Sequence, residues 1–150
     1  MLFRSGSTRP LLGVATTASF DFPFQVDIRI EDVGGPSAGM MFALGVIDKL
    51  TPGSLTGGRH VAGTGTICGD GTVGPIGGIR QKMVAASGAG ATLFLAPQAD
   101  CDEVAGHVPA GLDVVAVKTL SGALDALEQV RERGSAQGLP TCSAPVSSAG

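Results

Sequence analysis

Residues 32–39, Asp32-Val33-Gly34-Gly35-Pro36-Ser37-Ala38-Gly39, run without a break into Met40-Met41-Phe42-Ala43-Leu44-Gly45-Val46-Ile47. The second half is apolar on every side, which predicts a buried helix rather than a surface one. Ser37 has the chemistry of an N-cap, and Pro36 keeps the preceding residue extended. The positive end of the helix then lies beside the Ser37 hydroxyl, where backbone N–H groups can hold a developing negative charge. Taken alone, Ser-Ala-Gly at the mouth of an apolar segment reads as a capped core helix. Its reading as a nucleophile depends on the rest of the chain.

On the N-terminal side, Phe24, Val26, Ile28 and Ile30 alternate with Gln25, Asp27 and Arg29. That is the period-two pattern of a strand with one buried face, delivering the chain to the glycine turn. On the C-terminal side, Thr51-Pro52-Gly53 ends the helix and 54–59 reads as loop. A second strand is predicted from His60 to Cys68, with Thr64 and Thr66 on one face and Gly63 and Gly65 on the other. Glycines inside a strand mark the close approach of another backbone or a ligand. Gly69-Asp70-Gly71 is a hairpin turn signal, Thr72-Val73 a short return, and 74–78 a tight glycine loop opening a helix over 79–87.

Beyond it the pattern alternates between strand and helix. Thr92 to Ala96 is a continuous apolar strand stopped by Pro97, followed by a short helix over 100–106 and a buried strand over 112–117. Thr119 caps a last helix whose Leu120, Ala123, Leu124 and Leu127 form a core stripe. The expected fold class is therefore α/β with a mixed sheet, contained in residues 22–133. Residues 1–21 have no defined pattern, and the Gly, Ser, Ala and Pro of 134–150 predict a disordered tail.

Composition narrows the function classes. The 150 residues are one domain's worth, and at 43% hydrophobic they can bury a real core. Only 15% are charged, with a net charge of -3, so no basic stripe exists to meet nucleic acid. Trp and Tyr are absent, which argues against base-stacking platforms. Cys68, Cys101 and Cys142 are an odd count without C-x-x-C, not a disulfide framework, and Cys68 and Cys101 read as small buried hydrophobes. They form no ligand spacing with His60 or His107, so neither metal nor cofactor is expected.

A serine hydroxyl needs a base. Lys49 lies twelve residues beyond Ser37 on the same helix, about 18 Å along its axis, and is excluded. Lys118 ends a strand with nothing to place it near the glycine turn. Lys82 falls inside the Ile79–Met83–Ala86 stripe of its helix, preceded by its own glycine loop. A snorkelling lysine explains that placement as readily as a functional one. As a base, Lys82 would benefit from the apolar stripe, because desolvation favours the neutral amine. Thr64 or Thr66 could orient it.

Together, Gly35-Pro36-Ser37-Ala38-Gly39, Val61-Ala62-Gly63-Thr64-Gly65-Thr66-Ile67 and Val73-Gly74-Pro75-Ile76-Gly77-Gly78-Ile79-Arg80-Gln81-Lys82 resemble the proteolytic domain of Lon proteases. Order, loop lengths and hydrophobicity match over roughly Phe24 to Leu127. The resemblance implies a Lon-type fold and a Ser-Lys dyad peptidase acting on unfolded or extended polypeptides. Ser37 would be the nucleophile, Lys82 the general base and Thr64 the support of the lysine, with Gly35, Pro36 and Ala38 shaping the turn. Two departures stand out. Gly34 occupies a position that is commonly acidic in the family, and the chain has no G-x-x-x-x-G-K-[ST] phosphate loop. The wording of 32–37 and of Asp48-Lys49-Leu50-Thr51-Pro52 is similar to ATP-independent Lon-like proteins, in which a membrane anchor and a PDZ domain come first. By that resemblance the chain is an N-terminally truncated domain, held outside the cytoplasm in the longer protein, with a homo-oligomeric ring as the family's assembly.

Two other readings compete. Gly35-Pro36-Ser37-Ala38-Gly39 also fits the G-x-S-x-G elbow of α/β-hydrolases, with His107 downstream and Asp70, Asp100 and Asp102 between, an esterase arrangement. Only one strand precedes Ser37, which leaves no room for the strands such enzymes place before the elbow. The other reading is a Lon-like domain without activity, serving interaction alone.

Overall fold

The computed structural model describes Pro23 and residues 35–142. The segment 1–21, the strand expected over Phe24–Ile30, residues 31–34 and the part of the expected tail at 143–150 lie outside the described residues.

A 3-10 turn, Pro36–Ala38, leads into α1, Gly39–Leu50. Then follow β1 (Val61–Gly63), β2 (Thr66–Ile67), β3 (Val73–Gly74), α2 (Ile79–Gly88), β4 (Leu93–Pro97), a second 3-10 turn (Gln98–Asp100), α3 (Cys101–Val104), β5 (Asp113–Val117) and α4 (Leu120–Arg133). Parallel strands β1, β4 and β5 form a sheet in that order, and β2 and β3 form a separate antiparallel hairpin. Successive side chains of a strand point to opposite faces, and here both faces are covered. On one face Leu93, Leu95, Val115 and Val117 pack with Met40 and Leu44 of α1 and with Ala123, Ala126, Leu127 and Val130 of α4. On the other, Phe94, Ala96 and Val114 pack with Ile79 and Met83 of α2 and Val104 of α3. This explains why 93–97 reads as an unbroken apolar run: a parallel strand buried on both sides has no polar face. The mixed α/β class is the observed one.

Several local expectations need correction. The predicted strand from His60 to Cys68 is two strands in different sheets. It breaks at Thr64 and Gly65, where Thr64 N–H still bonds Leu95 O (3.1 Å) but Gly65 N–H turns to Ser37 O (2.8 Å). The glycine at 63 does mark a close approach, since a Cβ there would lie 2.6 Å from Met41 Sδ and 3.0 Å from Leu95 O. α1 is not buried all round: only Met40 and Leu44 are, and Leu50 is exposed. The helix expected over 100–106 is confined to one turn. The cap on α4 is as expected, with Gly122 N–H donating to Thr119 Oγ1 (3.1 Å).

Residues 134–142 are not part of a disordered tail. Ala116 N–H donates to Pro140 O (2.8 Å), and Leu139 and Ala136 pack against the α1–α4 core. Cys142 is disulfide-bonded to Cys101 across 41 residues. The cysteine reading is thereby overturned: Cys101 is covalently paired, and Cys68 is a free, exposed thiol rather than a buried hydrophobe. Low-complexity composition hides this segment because its anchoring is long-range, one strand edge and one covalent bond. Closing a loop of that length stabilises the fold by about 4 kcal/mol in the chain-entropy account.

Candidate active site

The nucleophile candidate is held by the backbone. Ser37 sits inside the 3-10 turn, and its hydroxyl caps neither this turn nor α1, for which Ala38 is the N-cap residue. The N-cap reading of Ser37 is thus corrected, and its side chain is free for another partner. Its carbonyl accepts twice, from Gly65 N–H (2.8 Å) and from Thr64 Oγ1 (2.9 Å), while Met40 N–H donates to Gly65 O (3.0 Å). The first turn of α1 is in this way laced to the break between β1 and β2. Gly39 permits the approach, because a Cβ there would meet Ile67 Cγ2 at 2.9 Å and Ile67 N at 3.3 Å.

Lys82 reaches the same point from the other face of the sheet. Gly78, in the left-handed conformation, starts α2, and Ile79 and Met83 anchor the helix in the core. Lys82 is half-buried beside them. Its Nζ lies 3.0 Å from Ser37 Oγ and 3.1 Å from Thr64 Oγ1, hydrogen-bonded to both. Thr64, only 2% exposed, therefore accepts from the lysine and donates to the Ser37 carbonyl, closing a three-residue circuit. Buried hydroxyls are stable when both roles are filled in this way. Thr66 is in β2 and is not part of the circuit. Gly35 and Pro36 are exposed at the start of the turn and Ala38 is half-buried in it.

The remaining candidates are elsewhere. Lys49 and Lys118 are exposed, on the last turn of α1 and beyond β5. His107 lies in an exposed loop with Nδ1 against Ala105 O (2.9 Å), and His60 is exposed just before β1. Asp70 is exposed in the hairpin turn, where Thr72 N–H (2.9 Å to Oδ1) and the Thr72 hydroxyl hold its carboxyl below the usual range. Among the described residues neither histidine bonds Ser37, so the Ser–Asp–His arrangement of the hydrolase reading is not assembled.

One residue of the site region is missed by sequence reasoning in its true position. Asp100 is 6% exposed, and its Oδ2 accepts from Ile76 N–H (3.0 Å) in the loop that opens α2. Burial raises its pKa, against the opposing effect of the Ile76 bond; Glu103 raises it further and Lys82 lowers it. An aspartate directly before a helical turn reads as a local cap, and no short-range pattern reveals that it serves a loop 24 residues earlier.

Comparison with known proteins bears on the whole arrangement. Residues 31–129 match the family model of the Lon protease (S16) C-terminal proteolytic domain. The chain is 38% identical over 94 residues to Lon protease of Clostridioides difficile, covering 61% of this chain and 12% of that protein. It is 43% identical over 93 residues to Lon protease 2 of Herpetosiphon aurantiacus (60% and 11%). With Lon protease 2 of Bacillus subtilis the identity is 33% over 125 residues, 80% of this chain and 22% of that one. The aligned region is thus a small part of each of these relatives. With the serine turn, the glycine-rich break and the lysine helix all inside the matched span, the chain belongs to the Lon protease (S16) C-terminal proteolytic domain family.

Proposed function

We propose that this domain is a serine endopeptidase that cleaves extended or unfolded polypeptides through a Ser37–Lys82 dyad, without ATP. The observation that carries the reading is the 3.0 Å contact between Lys82 Nζ and Ser37 Oγ in a chain of this family. In the reactive form the amine is neutral and the roles in that bond reverse, so that Nζ accepts the hydroxyl proton as Oγ attacks the substrate carbonyl. Thr64 Oγ1 keeps the amine aimed. Helix geometry leaves the N–H groups of Ser37 and Ala38 without intrahelical acceptors, and we assign them as donors to the oxyanion that develops. The lysine, now protonated, gives its proton to the departing amine. Water, deprotonated by the same lysine, then hydrolyses the acyl-serine.

Independence from ATP rests on the resemblance of residues 32–37 and of Asp48-Lys49-Leu50-Thr51-Pro52 to ATP-independent Lon-like proteins. An upstream PDZ domain, a membrane anchor and a ring assembly are proposals for the longer protein. Placement outside the cytoplasm is supported by the Cys101–Cys142 disulfide, a bond that persists in oxidising compartments. The test is Ser37→Ala: cleavage of an unfolded protein substrate should fall by at least about 10^4-fold with an unchanged fold. Turnover close to wild type would defeat the proposal.

A further inference from the structure

The base-bearing helix α2 needs something to set its start, and its own sequence supplies little. Its N-cap residue is Gly78, with no side-chain cap. Two ties come instead from one neighbouring segment. Asp100 Oδ2 accepts from Ile76 N–H (3.0 Å) just before α2, and Glu103 O accepts from Arg80 Nε (2.9 Å) in its first turn. The behaviour of Asp100 is unusual for its position. It is the N-cap residue of α3, where an aspartate ordinarily accepts from the next turn's N–H groups. Here it makes no such bond, and its buried carboxylate is committed to the distant loop. The residue after it, Cys101, is covalently tied to Cys142.

We infer that Asp100 is a positioning residue for the dyad: its carboxylate, by holding Ile76 N–H, sets where α2 begins and so where Lys82 Nζ meets Ser37 and Thr64. This inference rests on the dyad reading above. Asp100 touches no reacting atom; it acts through the loop 74–78 and one turn of helix. A shift of about 1 Å at a base costs about a hundredfold in rate, so a loose helix start has a kinetic signature larger than its effect on the fold.

The test compares Asp100→Asn with Asp100→Ala in the full chain, using a fluorogenic extended peptide for kcat and KM and a fluorophosphonate for the rate of Ser37 labelling. Asn retains an oxygen that accepts from Ile76 N–H, so its kcat and labelling rate should stay within about threefold of wild type. Ala removes the acceptor, and kcat and labelling should fall at least about tenfold with KM within about threefold. Exchange of the Ile76 amide proton, which needs no activity, should be protected in wild type and Asn and lost in Ala. In a Lys82→Met background, Asp100→Ala should add no further loss of labelling, because its effect runs through the lysine.

Three results would overturn the inference: kcat in the Ala variant within threefold of wild type, an Asn variant as impaired as Ala, or an Ala variant that does not fold, which would make Asp100 a structural brace. Ser37→Ala run in parallel separates the two levels. A labelled or active Ser37→Ala chain, or a wild-type chain that the probe leaves untouched, defeats the dyad reading itself. An inactive Ser37→Ala beside an undiminished Asp100→Ala defeats only the positioning role.

Discussion

The two arms of the site are built in different ways. The serine arm, on the α1 side of the sheet, is held mainly by backbone groups: Ser37 O, Gly65 N–H, Gly65 O and Met40 N–H, with Thr64 Oγ1 the one side-chain member. The lysine arm, on the α2 side, is held by side-chain bonds to another segment: Asp100 Oδ2 accepts from Ile76 N–H, and Arg80 Nε donates to Glu103 O. A backbone lattice is indifferent to most substitutions but intolerant of added volume. A side-chain lattice is the reverse. Glycine changes should therefore damage the serine arm, and polar truncations the lysine arm.

The largest effect tests whether both arms serve one reaction. Lys82→Met should abolish peptide cleavage as completely as Ser37→Ala, whereas His107→Ala and His60→Ala should retain most activity. Loss in the histidine variants with retention in Lys82→Met would dissolve the comparison, since the two arms would no longer share a base. Next in size is Thr64, where the arms meet. Thr64→Val removes the hydroxyl that takes from Lys82 and gives to Ser37 O, and should lower kcat by about 10- to 100-fold. Thr64→Ser should restore most of it. Equal impairment of both variants would mean that packing, not the hydroxyl, matters at this position.

Volume is tested by Gly39→Ala. The added Cβ would sit 2.9 Å from Ile67 Cγ2 and 3.3 Å from Ile67 N, so thermal or denaturant unfolding should show a loss of about 1–3 kcal/mol. An unchanged stability would show that the α1 start has slack. The smallest effect is the pH dependence of the lysine arm. Burial raises the pKa of Asp100 in the folded state, so the folded chain holds that proton more tightly than the unfolded one. The ionised carboxylate is a cost at neutral pH that disappears as pH falls below its unfolded value. Asp100→Asn should then be at least as stable as wild type near pH 7, with the difference shrinking as the pH is lowered through the carboxylate range. A difference that grows on acidification would reverse the sign.

How much of this was legible in the sequence differs between the arms as well. The serine turn, Thr64 and Lys82 lie in short glycine-bounded runs whose spacing is local, and those runs carried the family resemblance. The α4 cap and the doubly buried β4 were readable because capping and patterning act over a few residues. What escaped depends on contacts far apart in the chain. The break at Thr64 and Gly65 occurs because the Ser37 carbonyl, 28 residues earlier than Gly65, competes for an N–H that would otherwise continue the strand. Asp100 and Cys142 escaped for the same reason, since neither partner is within reach of a helical or strand period. The Ser37 cap failed because the chain inserts a 3-10 turn before α1, a choice that propensity does not reveal.

The disulfide also imposes an order in time. Synthesis delivers the serine turn first, at residue 37, and the lysine next, at residue 82, but the bond to Cys101 has no partner until residue 142 exists and an oxidant has acted on the pair. The covalent tie beside Asp100 thus forms only after every group around Ser37 has been made.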